Sequence, residues 1–291
     1  MGYFRYQGQK LAYTIHGRGE RTTILMPALL MSQKMQTPLA RDLASHGNRV
    51  VTFDFLGHGA SDRPRDMWRY STSEFARQAL ALLDHLGLDQ AVIGGTSLGA
   101  NTTLELASVA PERVRGMVIE MPVLDNALLW SALTFTPLLV ALTFGERGMR
   151  ALARSARAVP RRLLPHYGNV MLDLVRQEPG PGGAVLQGLF FGRVAPHRTE
   201  RHTFQTPALV LGHRRDPVHP FSDAGELASE LPNARLIEAN SLLELRLDPE
   251  RLTDEIASFL DEIWAPPVAA KRRAPRRTQA RARPRRQARA G

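Results

Sequence analysis

Gly95-Thr96-Ser97-Leu98-Gly99 sets one hydroxyl between two glycines, directly after the apolar run Ala91-Val92-Ile93-Gly94 and directly before a helical pattern. A serine attacks a carbonyl poorly unless it stands clear of the backbone, has a base to take its proton, and faces donors for the developing oxyanion. A strand–turn–helix elbow meets the first requirement, and glycines on either side relieve crowding around so tight a turn. Ser97 is therefore the candidate nucleophile, and acyl chemistry is the candidate reaction.

Three further segments occur in a telling order. Asp54-Phe55-Leu56-Gly57-His58-Gly59-Ala60-Ser61-Asp62 carries a D-x-x-G-x-G-x-S pattern. Gly212-His213-Arg214-Arg215-Asp216-Pro217 follows an apolar run, and Pro249-Glu250-Arg251-Leu252 opens a terminal amphipathic stretch through Leu260. With the serine turn, these resemble the α/β-hydrolase superfamily over residues 3–264. The resemblance implies a mostly parallel central sheet with flanking helices. It implies Ser97 as nucleophile, Asp216 as the acid that orients a histidine, and the backbone amides of Leu98 and Ala28 as oxyanion donors. Met26-Pro27 stands where much of the family has His-Gly, just before Ala28. Neither a cofactor nor a metal is expected.

The chain departs from that pattern at the general base. The family's histidine follows the last strand, and the position aligns here with Leu242, in Glu238-Ala239-Asn240-Ser241-Leu242-Leu243-Glu244. His219 is the last histidine of the chain and the only one that keeps the Ser–Asp–His order, so it is the preferred replacement. His213 is a second candidate; His166, His197 and His202 lie in an inserted segment from which they could swing over the serine. Glu120 occupies a position where some family members place their carboxylate; alternatively it pairs with an arginine of that segment. His58 matches a loop position with no usual catalytic role.

The elements that must position these groups are legible from periodicity. Tyr3 to Tyr6 and Lys10 to Ile15 read as a hairpin, followed by a strand at Thr22 to Met26. Short apolar runs at Arg49–Phe53, Ala91–Gly94, Met117–Ile119, Ala208–Leu211 and Arg235–Ile237 suit strands buried on both faces, and the helical patterns between them argue for parallel pairing. Ser71 with Glu74 fits a capping box ahead of Phe75, Ala79, Leu82, Leu83 and Leu86, with Gly87 as the stop. A helix runs from Ser97 to just before Pro111.

Between the strands ending near Glu120 and starting near Ala208 the alternation stops. The domain reading is an α/β-hydrolase core at 1–122 and 205–264, a mainly helical lid at 123–204 inserted between strands 6 and 7, and a disordered basic tail at 265–291. Within the lid, Ala127 to Phe144 carries no charge over 18 residues. Pro137 favours two short helices there over a membrane span, and Glu178-Pro179-Gly180-Pro181-Gly182-Gly183 reads as a flexible break. Six arginines between Arg147 and Arg162 set a cationic surface beside the apolar one.

The net charge of +10 resides in the tail, where ten Lys and Arg stand without an acidic residue. Such a segment meets an anionic membrane surface or nucleic acid through charge alone, or is merely solvated. No cysteine is present, which excludes disulfides and thiolate metal sites. The N-terminus lacks a signal-peptide pattern, and a cytoplasmic location is the expectation. Two functions stay open: a serine-dependent hydrolase of esters or related acyl compounds with a hydrophobic substrate and an altered triad, and a catalytically impaired relative that binds an apolar ligand.

Overall fold

The computed structural model describes residues 1–265; the reading of a basic tail lies outside them. Eight strands form one sheet: β1 (Gly2–Tyr6), β2 (Gln9–His16), β3 (Thr22–Met26), β4 (Arg49–Phe53), β5 (Ala91–Thr96), β6 (Val114–Glu120), β7 (Ala208–His213) and β8 (Ala234–Ala239). Their order is β1-β2-β4-β3-β5-β6-β7-β8. Strands β1 and β2 pair antiparallel, as do β2 and β4, and every later pairing is parallel. The central strands β3, β5 and β7 are buried along their whole length, as continuous apolar runs require when helices cover both faces. Strand β8 departs from the sequence expectation: it is the sheet edge, and Leu236 remains 37% exposed.

Eleven helices complete the described chain: α1 (Thr37–Ser45), α2 (Thr72–His85), α3 (Leu98–Val109), α4 (Leu128–Phe144), α5 (Glu146–Ala158), α6 (His166–Val175), α7 (Pro179–Phe191), α8 (Arg198–Arg201), α9 (Phe221–Glu230), α10 (Glu244–Leu247) and α11 (Glu250–Trp264). One core cluster joins α2 and α3 to one face of the sheet through Phe53, Phe75, Leu82, Ile93, Leu104 and Ile119. The other packs α1 and α11 on the opposite face through Leu25, Leu43, Val92, Leu209, Ile256 and Leu260. The Ser71 hydroxyl accepts from the Glu74 amide at 3.1 Å and starts α2. The Glu74 carboxylate, however, turns to Gln7 and Arg77, so only half of the capping box forms.

Helices α4 to α8 fill the interval between β6 and β7, and two sequence expectations need correction there. Residues 128–144 form one helix with Pro137 inside it rather than two. Proline removes only the bond to the carbonyl four residues back, and Leu133 and Pro137 both lie on the exposed side, where water can satisfy that carbonyl. The Pro-Gly segment is the first turn of α7, not a flexible break. Pro179 sits where a helix needs no N–H, and the glycines permit close packing. A Cβ on Gly188 would clash with the Tyr70 and Met67 carbonyl oxygens, so that residue lets α7 lie against the 67–70 turn.

Candidate active site

Strand β5 ends and α3 begins at Ser97, which is held at φ 54° and ψ −109°. A non-glycine residue rarely adopts such a conformation, and the surroundings enforce it. The Ser97 amide donates to the Glu120 carbonyl at 2.9 Å, and the Ser97 carbonyl accepts from the Asn101 amide at 2.9 Å. A Cβ on Gly95 would lie 2.7 Å from the Gly99 backbone and one on Gly99 2.6 Å from the Met26 carbonyl oxygen. Only glycine at both positions lets the turn close against β3.

His219 spans the gap between the serine and the aspartate. Its Nε2 is 2.9 Å from Ser97 Oγ, and its Nδ1 is 2.8 Å from Asp216 Oδ2. The loop after β7 makes this reach possible. Asp216 Oδ1 accepts the amides of Val218 and His219 at 2.8 and 3.0 Å, an Asx-type turn that returns the chain three residues on and aims the imidazole across the sheet edge. Burial pushes the Asp216 carboxyl up, yet the imidazole and the two amides outweigh it and hold the group below the ordinary carboxylate range. Asp216 is thus a fixed anion, which orders the imidazole with its proton on Nδ1 and leaves Nε2 to accept from the serine.

The other histidines are placed elsewhere. His213 is buried; its Nδ1 is 3.0 Å from the Ser241 carbonyl oxygen and its Nε2 3.5 Å from Glu120 Oε1. His166 meets the Lys34 carbonyl, His202 the Glu230 carbonyl, and His197 caps α8. His58 is enclosed between Phe55 and Phe75, where burial pushes it down to about 4. Leu242 lies in the loop after β8 and is 36% exposed.

Glu120 does not pair with an arginine of the inserted segment. Its partner is Arg246 of α10, and the Thr96 hydroxyl donates to the same carboxylate oxygen. Burial raises the Glu120 carboxyl, but Arg246, His213 and Thr96 hold it down at about 2. His213 in turn is lowered by burial and raised more strongly by Glu120, ending above its ordinary value. Arg246 escaped the sequence reading, although an arginine among Leu243, Leu245 and Leu247 is the kind of residue that is buried only with a counter-charge.

A cavity of about 270 Å³ opens at Ser97. Leu98, Phe135, Leu186, Leu189 and Phe190 are among the apolar residues of its wall, while Asn101, Thr72 and Ser131 add polar atoms. Leu29, one residue beyond Ala28, lines it as well. Among the described residues the Leu98 and Ala28 amides make no backbone hydrogen bond outside regular structure. Asn101 joins α3 to the inserted segment, donating to the Val123 and Val194 carbonyls at 2.8 and 2.9 Å. Among the described residues no group of three or more His, Cys, Asp or Glu is placed to hold a metal ion. A hydroxyl on the wall of an apolar cavity, in line with an imidazole and a carboxylate, can perform nucleophilic attack with general base assistance.

Comparison with known proteins gives a consistent frame. A family model described as alpha/beta hydrolase fold matches residues 15–241. A 2-hydroxymuconate semialdehyde hydrolase of Pseudomonas putida is 29% identical over 240 residues, covering 76% of this chain and 80% of that protein. A 3-oxoadipate enol-lactonase of Acinetobacter baylyi is 25% identical over 245 residues, covering 79% and 85% respectively. Among solved structures, the enol-lactonase from Burkholderia xenovorans LB400 superposes with a TM-score of 0.72 at 24% identity, covering 89% of this chain and 99% of that one.

Proposed function

This chain belongs to the alpha/beta hydrolase fold family, and from that premise we propose that it is a serine hydrolase of small esters or related acyl compounds with an apolar group. The observation that carries the reading is the unbroken line from Ser97 Oγ through the His219 imidazole to Asp216, with contacts of 2.9 and 2.8 Å. Substrate enters the cavity with its apolar part against Phe135, Leu186 and Leu189. His219 Nε2 takes the Ser97 proton as Oγ attacks the carbonyl carbon, and Asp216 stabilises the imidazolium that results. The Leu98 and Ala28 amides receive the oxyanion. The same imidazole protonates the leaving alkoxide, then deprotonates the water that releases the acid and restores Ser97.

The name of the enol-lactonase relative supports this reaction class, since a lactone is a cyclic ester. Helices α4 to α8 act in this reading as a lid whose inner face shapes the acyl pocket. The alternative of a ligand-binding protein without chemistry rested on Leu242 in the family's histidine position, and the reach of His219 to Ser97 favours the enzyme. Hydrolysis of p-nitrophenyl butyrate tests it: the wild-type chain should turn over this ester, and Ser97→Ala should reduce the rate to the uncatalysed background. Equal rates for the folded variant and the wild type would refute the reading.

A further inference from the structure

Helix α4 has two apolar faces, and the cavity uses only one of them. Leu128, Ser131, Ala132 and Phe135 turn toward Ser97. On the other side Leu129, Trp130, Leu133, Val140 and Phe144 are 64, 51, 58, 50 and 85% exposed. Leu129, Leu133, Val140 and Phe144 are spaced so that they share one stripe along the helix. Four large apolar side chains exposed along one stripe, with only Thr136 and Pro137 between Leu133 and Val140, are uncommon on a free surface and mark a contact.

The surroundings of the stripe identify its partner. Helix α5 follows immediately, and from Gly145 to Arg162 the chain carries six arginines against the single acid Glu146. Arg150 and Arg157 are paired with Glu146 and Glu178, and Arg161 with Asp173. Arg147, Arg154 and Arg162 are exposed and have no ion pair among the described residues. An apolar stripe ending in Phe144, flanked by Trp130 and beside free guanidinium groups, has the chemistry of an interfacial helix, which sinks its apolar side chains below the headgroups while cations meet lipid phosphates. A second copy of the chain is a poorer occupant, because a symmetric contact about α4 would bring like-charged α5 helices together.

We infer that the outer face of α4 docks, with α5, on an anionic lipid surface. The helical stretch Asp125–Phe144, which is α4 with the turn before it, is long and apolar enough to cross a bilayer, but the inner face of α4 lines the cavity and Leu142 is buried against the core. The helix therefore lies in the interface and does not span. Docking is independent of the catalytic reading.

Trp130 reports the contact directly. The full-length chain carries three tryptophans, and Trp68→Phe with Trp264→Phe leaves Trp130 as the only fluorophore of its kind. With vesicles of phosphatidylcholine and phosphatidylglycerol, the emission should shift to the blue and be quenched by brominated acyl chains. With pure phosphatidylcholine the change should be at least tenfold weaker at equal lipid. Leu133→Ser with Phe144→Ser, or Arg147→Glu with Arg154→Glu, should weaken binding to the anionic vesicles at least fivefold while circular dichroism stays unchanged. Vesicle binding without Trp130 quenching would assign the attachment to residues outside α4 and overturn the inference, as would no vesicle binding at all. A concentration-dependent dimer lost in the Leu133→Ser, Phe144→Ser variant, with no lipid effect, would assign the face to a second copy and overturn it equally.

Discussion

A base for Ser97 has to come from some element that reaches the end of β5, and in this chain three residues of backbone suffice. Asp216 fixes its own turn with the amides of Val218 and His219, so the residue that orients the imidazole also builds the loop that carries it. Replacing His219 with Gln should lower kcat for an ester by about a hundred- to ten-thousand-fold, the usual worth of general base catalysis, with KM changed far less; steady-state kinetics check this. The serine and the aspartate were candidates because each sits in a motif, and His219 only because of its place in the chain order; the structure brings the three side chains together. The distances were not legible, since whether His219 or His213 faces Ser97 depends on the direction of a loop that no periodicity encodes. His58 gives a second prediction. Burial holds it down at about 4 from an ordinary 6.5, so between those values the unfolded chain binds the extra proton and stability falls as pH falls. The shift corresponds to roughly 3 kcal/mol at full effect. Thermal melts from pH 7 to 4 should show the decline, and His58→Gln should flatten it. Glu120, held at about 2, extends the loss below pH 4.5 by the same sign: its depressed carboxyl stabilises the fold only while it remains ionised.

The elements around the elbow are held by a buried ion pair that belongs to the fold. Arg246 of α10 reaches across the end of the sheet to Glu120 on β6 and Thr96 on β5, tying the loop after β8 to the turn that bends at Ser97. Arg246→Ala should cost about 3–5 kcal/mol, because it leaves a buried carboxylate without its counter-charge. Chemical denaturation measures that loss, and a value under 1 kcal/mol would show that Arg246 is not the group holding Glu120. Strands and core helices were readable from apolar runs and caps such as Ser71. The inserted helices were harder to read because their local signals point the wrong way. Pro137 and the Pro179–Gly183 run look like breaks, yet one proline lies on a solvent face and the other opens a helix whose glycines serve close packing. Pro179 follows the preference of proline for a helix start, and only Pro137 and the glycines run against helix propensity.

At the scale of the molecule, a sheet that presents chemistry at its strand ends is covered by a helical insertion with an apolar face toward Ser97 and another toward solvent. The cavity of about 270 Å³ lies at the small end of ligand pockets, which predicts a preference for short acyl groups. Among p-nitrophenyl esters, kcat/KM should be highest for acetate to butyrate and fall for longer chains. Leu186→Ala, which removes wall from the pocket's side, should move the optimum toward longer chains. An unchanged profile in a folded variant would place the acyl group elsewhere. Residues 266–291, with their excess of arginine, add cationic charge to a chain that is otherwise balanced.

The central claim is that His219 activates Ser97, and covalent labelling reads it most directly. A fluorophosphonate reacts with a serine only as fast as its base permits, and mass spectrometry locates the adduct. The account predicts one adduct on Ser97, none in Ser97→Ala, and labelling slowed at least a hundredfold in His219→Gln with an unchanged circular dichroism spectrum. Labelling of His219→Gln at the wild-type rate would contradict it.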